Sequence, residues 1–441
     1  MLLLIAAIVF APHWILQSSG VTARLRGVSA VNEQVAFASG SGSTVLKTID
    51  GGGSWQKLTV TSETLDFRDI DAIDERTVYV LSIGPGTASR IYKTTDGGMN
   101  WSHYSIVNDN YFNNLFFLNK DTGFAVGGYG LVNGAIAKTV DGGLTWTSQN
   151  ISVEPLSDIR FYNDYYGYAV GNSLLAGGAI CKTIDGGTTW NLQFVSYQNI
   201  SSVFPLSPTT VIACANNLVL YTWDGINWAP NYAAPAGTIL QDIWFSTPNV
   251  GYIVGYDYIS GFEIILYTNS AGNGWSILSY GNFSGLQSVQ FVSPDTGFAV
   301  GGNGIVLRTN NAGVTWFQEN STVPDFLSSV SFPSMNVGYA CGHNGTLIKR
   351  TTITAIQENI STEKKDISIL PNPADNELTI TKNLNHNCQI TIFNSIGEQV
   401  IQRTLTDRTT RINFSAYPRG LYFYRVPVDR NTFETGKLIK Q

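Results

Sequence analysis

The chain has 441 residues, 13% of them charged, 43% hydrophobic and 12% aromatic, with 44 glycines. Charge at about half the globular average, beside abundant Gly, Tyr, Phe and Trp, points to an all-β chain with many tight turns and excludes a coiled coil, a helical bundle or a disordered protein. A net charge of −6 leaves no basic surplus for phosphates, so a general nucleic-acid binder is excluded, and no apolar run is long enough for a spanning helix.

Leu2 to Ala11 form an apolar run of ten, the length of a signal-peptide core and too short to cross a bilayer. No Lys or Arg precedes the run and Pro12 follows it. Residues 1–11 are therefore read as a signal peptide lacking its basic start. A buried N-terminal strand is the alternative.

Internal repetition dominates the next 340 or so residues. One turn runs from Thr48 through Asp50 to Trp55 and returns at Thr94–Asp96–Trp101, Thr139–Asp141–Trp146 and Thr183–Asp185–Trp190. A shortened copy spans Thr222, Asp224 and Trp228, and eroded copies end at Trp275, with Ser270 for the Asp, and at Trp316, with Asn311. The tryptophans lie 38 to 47 residues apart. Two strand-like segments precede each turn: a Gly-aromatic-Ala-Val type, as at Gly123 or Gly297, and one ending in a Lys-Thr pair. A third, with apolar residues three apart, lies ahead of both, as at Leu25/Val28 or Leu286/Val289. A fourth strand begins at each Trp.

Four short strands in about 42 residues is the spacing of a β-propeller blade. The first three strands occur eight times and the Trp turn seven times; Trp14, in a Trp-x-x-Gln form like that of Trp190, supplies the missing fourth strand. The expected fold is an eight-bladed β-propeller over 12–356, closed by the Trp14 strand, with seven blades as the alternative. A small Ig-like β-sandwich is expected to follow.

The turn resembles the Asp-box, or bacterial neuraminidase repeat. Its Asp suits a hairpin staple, with the carboxylate accepting N–H bonds inside its own turn, Gly supplying positive φ and Trp covering the seam between sheets. One carboxylate per turn is poor for calcium. Residues 14–356 resemble the photosystem II stability/assembly factor type of Asp-box propeller. That resemblance implies a non-catalytic interaction factor and an arginine patch for its partner.

Residues 357–366 are polar and read as a linker. Residues 361–441 hold 11 basic and 8 acidic side chains, a net of +3, which leaves 15 and 24, a net of −9, in the rest. Pro371-Asn-Pro-Ala374, Gly397 to Val400, Tyr417 to Tyr422 and the tail from Gly436 to Gln441 resemble the type A sorting domain of type IX secretion over 367–441. The resemblance implies export to the cell surface or the medium of a Gram-negative bacterium, with the secretion machinery as partner and the domain removed. Cys181, Cys214, Cys341 and Cys388 share no regular spacing; three sit in apolar strands, and a Cys181–Cys214 bridge is the one pairing considered.

No metal or cofactor motif occurs, and His13, His103, His343 and His386 are scattered. A sialidase-like or xyloglucan-type hydrolase is the catalytic alternative, but no arginine triad or Tyr–Glu pair stands in an evident motif. The binding reading rests on the two residues inside each apolar pair of the first strand, which face the channel axis or its rim. They are Arg26-Gly27, Arg68-Asp69, Asn113-Asn114, Ser157-Asp158, Ser201-Ser202, Gln241-Asp242, Gln287-Ser288 and Ser328-Ser329. Paired Arg26 and Arg68 suit a carboxylate or an acidic peptide terminus, with Asp69, Asp158 and Asp242 expected to face them around the ring. A protein or glycan ligand is expected there, and loops around Tyr111 and Tyr165 are the fallback.

Overall fold

The structure is a computed structural model that describes residues 13–84, 87–105, 111–128, 134–151, 155–171, 178–195, 198–351, 366–371, 373–374, 376–384, 386–394, 398–427 and 433–440. The signal-peptide segment, most of the linker and Gly397 lie outside them. The chain divides into two compact units, 1–353 and 354–441.

Among the described residues, the first unit is built of eight four-stranded antiparallel sheets. Seven are continuous, at 25–58, 66–105, 112–151, 156–195, 200–233, 238–284 and 286–319, and we number them blades 1 to 7. Blade 8 is composite: strands Leu327–Ser331, Val337–Gly342 and Leu347–Thr351 are completed by His13–Leu16, which pairs antiparallel with Leu347–Thr351. The first strand of each blade packs against the first strand of the next, and Leu327–Ser331 packs against Leu25–Ala30, so the ring closes.

Second strands such as Gly167–Gly171 are buried at every position, because each blade is covered on both faces by its neighbours. The seams are filled by the turn tryptophans. Trp55 meets Tyr339 edge-on at 5.7 Å, Trp190 meets Phe124 at 6.4 Å, Trp228 meets Tyr168 at 6.2 Å and Trp316 meets Tyr252 at 6.2 Å, each partner lying on the preceding blade. Trp14 does the same against Phe298 of blade 7, at 6.3 Å, and is fully buried. It therefore occupies the place of a turn tryptophan, although it lies at the far end of the chain from the blade it completes.

The Asp-box turns are stapled by their own side chains. Asp50 accepts from the Ser54 amide at 2.9 Å and the Ser54 hydroxyl at 2.7 Å, while Thr48 Oγ1 accepts from the Gly52 amide at 2.7 Å. Asp96, Asp141, Asp185 and Asp224 repeat the pattern, and Asn311 accepts from the Thr315 amide. Trp101 and Trp146 donate Nε1 to the carbonyls of Gly98 and Gly143. Trp275, after the eroded turn of blade 6, packs edge-on to Phe245 at 6.0 Å. Cys181 and Cys214 are separate buried free thiols, so no bridge joins them.

The second unit pairs a three-stranded sheet (Ile367–Leu370, Glu377–Lys382, Thr409–Asn413) with a four-stranded one (Gln399–Leu405, Cys388–Asn394, Gly420–Pro427, Phe433–Lys440). Leu378, Ile380, Ile390, Ile392, Phe414, Val426 and Leu438 form its core, as alternation on two facing sheets requires.

Candidate functional site

Every first strand of the propeller carries a β-bulge at the same place. The register against the second strand slips between Leu25 and Gly27, Phe67 and Asp69, Phe112 and Asn114, Leu156 and Asp158, Ile200 and Ser202, Leu240 and Asp242, Leu286 and Ser288, and Leu327 and Ser329. A bulge sets two residues against one and re-aims a side chain. The extra residues are Arg26, Arg68, Asn113, Ser157, Ser201, Gln241, Gln287 and Ser328, one per blade around the channel mouth.

A pocket of about 280 Å³ opens there, lined by Arg24, Arg26, Arg68, Asn113, Gln287, Phe326 and Ser328. Five of the seven are bulge residues. Arg24 and Phe326 precede the first strands of blades 1 and 8. Their backbones lie against Gly40 and Gly342, where any β-carbon would overlap the Arg24 or Phe326 carbonyl oxygen.

Asp66 organises the arginines. Arg26 donates Nε to Asp66 Oδ1 at 3.0 Å and Nη2 to Oδ2 at 2.8 Å, a bidentate pair. Arg68 Nε lies 3.0 Å from Asp66 Oδ2 as an ion pair without hydrogen-bond alignment. Three guanidinium groups against one carboxylate leave the mouth positive. Arg24 titrates lower than usual, first through burial and then through Arg26 and Arg68. His343, tilted against Phe326 at 5.1 Å, is lowered by burial and by Arg24 and Arg26. Gln287 donates to Gln241 at 3.0 Å, and the Ser328 hydroxyl is buried without a hydrogen-bond partner among the described residues. Such a mouth can hold an anion.

Asp69, Asp158 and Asp242 do not face the arginines, which corrects that expectation. Asp69 accepts from the Ile70 and Leu115 amides, Asp158 from Ile159 and Val203, and Asp242 from Ile243 and Val289. Each carboxylate therefore ties its own blade to the next. Asn114 is half-buried on the strand between them. Arg160, deeper in the channel, lies 3.7 Å from Asp158, which keeps it charged. Arg24, Asp66 and Phe326 escaped the sequence reading; the only available signal was the Asp-x-Arg spacing of Asp66 and Arg68.

Burial raises the Asp69 carboxyl to about 7, the Asp71 carboxyl to about 6, and Asp242 in the same direction. An unfolded aspartate titrates near ~4, so the folded chain holds these protons more tightly. Their stabilisation is complete below pH ~4 and is lost as pH rises through 6 to 7. Asp50, Asp141 and Asp185 are instead pulled to about 2 by hydrogen bonds within their turns. Their stabilisation is present above ~4 and is lost as pH falls toward 2. Melting temperature is expected to peak between pH ~4 and ~6, and Asp69→Asn should flatten the decline toward pH 8. A variant with the parent's alkaline limb would refute this assignment.

No curated protein matches the chain in sequence. Among solved structures it is similar to YCF48 bound to D1 peptide, at 18% identity and TM-score 0.52, over 77% of this chain and 99% of that one. The C-terminal WD40 domain of Sif2 is similar at 10% identity and TM-score 0.56, over 77% and 99%. An ancestral GH74 enzyme is similar at 12% identity and TM-score 0.50, over 97% of this chain and 64% of that one. Likeness at these identities is likeness of fold. Among the described residues no helix is long and apolar enough to cross a membrane. Residues 368–441 match the family model of the secretion system C-terminal sorting domain. The chain is thus an all-β propeller followed by a sorting domain that directs it through type IX secretion to the cell surface or the medium.

Proposed function

We propose that the propeller is a non-catalytic interaction module that receives a ligand carboxylate in the arginine mouth. The observation that carries this reading is the convergence of Arg24, Arg26 and Arg68 on one pocket where, among the described residues, Asp66 is the one carboxylate ion-paired to them. Guanidinium forks pair with carboxylates bidentately and resist deprotonation. Asn113, Gln287 and Ser328 add neutral polar groups for a ligand backbone, and Phe326 adds an apolar wall. YCF48, a propeller of similar fold, has been solved with a bound peptide, which supports a peptide terminus over an acidic sugar as the source of the carboxylate.

The test is fluorescence titration of the secreted protein with a peptide ending in a free acidic residue, its C-terminal amide, and glucuronate. Tight binding of the free acid alone supports the peptide reading. Binding of glucuronate alone moves the ligand to saccharides, and binding of none refutes the site.

The sorting domain is proposed to be removed on export, together with residues 1–11. Intact mass of the protein from culture fluid or cell surface should then correspond to a chain ending near residue 360. A surface product that retains residues 368–441 would refute the removal.

A further inference from the structure

The two ends of the propeller differ. The arginine pocket is built where the chain enters the first strands. Antiparallel strands put the Asp-box turns, and the turns joining first to second strands, at the opposite end. Backbone bonds join the two turns within a blade, as from Gly142 to Asp121 and from Gly186 to Tyr165.

Two positions of each Asp-box turn stand outside the Asp staple: the residue between Thr and Asp, and the first residue after the glycines, where, among the described residues, Thr188 alone bonds back through its side chain, donating to the Asp185 carbonyl at 3.1 Å. Blades 2 and 7 fill the first of these with Thr95 and Asn310 and keep the same Thr–Asp or Thr–Asn bonds. Polar residues therefore suit the turn, and an apolar residue there is not required by the fold. Yet on the consecutive blades 3, 4 and 5 the exposed side chains are Val140, Leu144, Tyr165, Ile184, Trp223 and Ile226, each 55–65% exposed. In the turns of the other blades at this end, among the described residues, the large exposed apolar side chains are Ile49, Met99, Val314 and Met335, one to a blade. Contiguous exposed apolar surface rimmed by polar groups marks an interaction site.

The rim is net acidic. Asp121, Asp141, Asp164, Asp185 and Asp224 lie in the turns of these three blades, against Lys120. Lys138 and Lys182 lie a layer beneath, and Lys182 donates to the Gly225 carbonyl at 3.0 Å. The turn bonds hold Asp141 and Asp185 at about 2, so they stay anionic throughout the neutral range. An anionic bilayer or a second copy of this face would meet like charge.

We propose that the arc of turns on blades 3 to 5 is a second docking surface, separate from the arginine pocket, and that it takes a basic amphipathic segment of another protein. Trp223, Ile184 and Tyr165 supply apolar contact for such a segment, and the aspartates pair with its Lys or Arg side chains. Aromatic anchors in an interface carry most of its affinity, and the charges set its sign and salt dependence.

The test uses the full chain and two synthetic peptides with amidated C-termini, one Leu/Lys amphipathic and one Leu/Glu. The Leu/Lys amide has no carboxylate for the arginine pocket, and the Leu/Glu amide is titrated into the Arg26→Ala with Arg68→Ala variant, so that its side-chain carboxylates do not report on that pocket. The Leu/Lys peptide should bind, weaken with salt, and bind about 10-fold more weakly to Ile184→Ser with Trp223→Ser. Both residues are exposed, so an unchanged melting temperature shows that the variant is folded. Arg26→Ala with Arg68→Ala should leave this binding unchanged, which separates the outcome from the carboxylate reading. Equal binding of both peptides, undiminished binding to the Ile184/Trp223 variant, or self-association or anionic-vesicle binding lost in that variant would overturn the proposal.

Discussion

Glu319→Ala is expected to destabilise the propeller by about 3–5 kcal/mol, the cost of leaving a buried charge without its partner. Glu319 ends the last strand of blade 7, and its carboxylate is 3% exposed. It accepts from Trp14 Nε1 at 2.9 Å, from Arg350 Nε at 3.0 Å and from Arg350 Nη2 at 3.3 Å. Arg308 approaches its other oxygen at 3.5 Å. Arg350 is 1% exposed and lies 4.8 Å over the Phe298 ring. Trp14 and Arg350 come from opposite ends of the propeller and face each other in the strand pair that completes blade 8. The alanine variant strands the Arg350 guanidinium in the core and removes the acceptor of the closing tryptophan.

Glu319→Gln keeps an acceptor and the volume, and should fall between parent and alanine. Deleting residues 12–19 should remove the same contacts, expose the edge of Leu347–Thr351, and lead to aggregation. Chemical denaturation measures all three. An alanine variant with the parent's midpoint would show that closure does not depend on this network.

The second large effect is on binding. Arg26→Ala with Arg68→Ala should weaken a free-acid peptide about 100-fold, because each charge-assisted bond to a carboxylate contributes roughly 1.5–3 kcal/mol. Stability should change little. The Arg26–Asp66 pair is partly exposed, at 21% and 27%, and exposed pairs of this kind contribute at most about 1 kcal/mol. Asp66→Asn should act in the opposite direction on affinity, because the internal carboxylate that occupies both guanidinium groups is gone. A double variant that binds as well as the parent would move the site elsewhere, first to the loops around Tyr111 and Tyr165.

Short-range chemistry was legible in the sequence. The Thr-x-Asp turn specifies its own hydrogen bonds within five residues, so Asp50 and its copies could be read as staples before any packing was known. Recurrence every 38 to 47 residues specified the blade, because a sheet of this size cannot cover both its faces alone. The unmatched Trp14 indicated which end of the chain completed the ring. The bulge column was visible as two residues, all but Gly27 polar, inside each apolar pair.

What each column member does was decided by tertiary structure. Asp69 and Arg68 are adjacent, yet Asp69 turns to the Leu115 amide 46 residues away, while Arg68 turns to Asp66. Arg68 finds its partner two residues back on its own strand, whereas the partner of Asp69 is supplied by the next blade and has no local signal. Arg24 and Phe326 reach the pocket because the ring brings blades 8 and 1 together, some 300 residues apart in sequence. The Trp14–Glu319–Arg350 network has the same origin. A buried charge is tolerable only where distant strands deliver its counter-charge, and that delivery is a property of the closed ring.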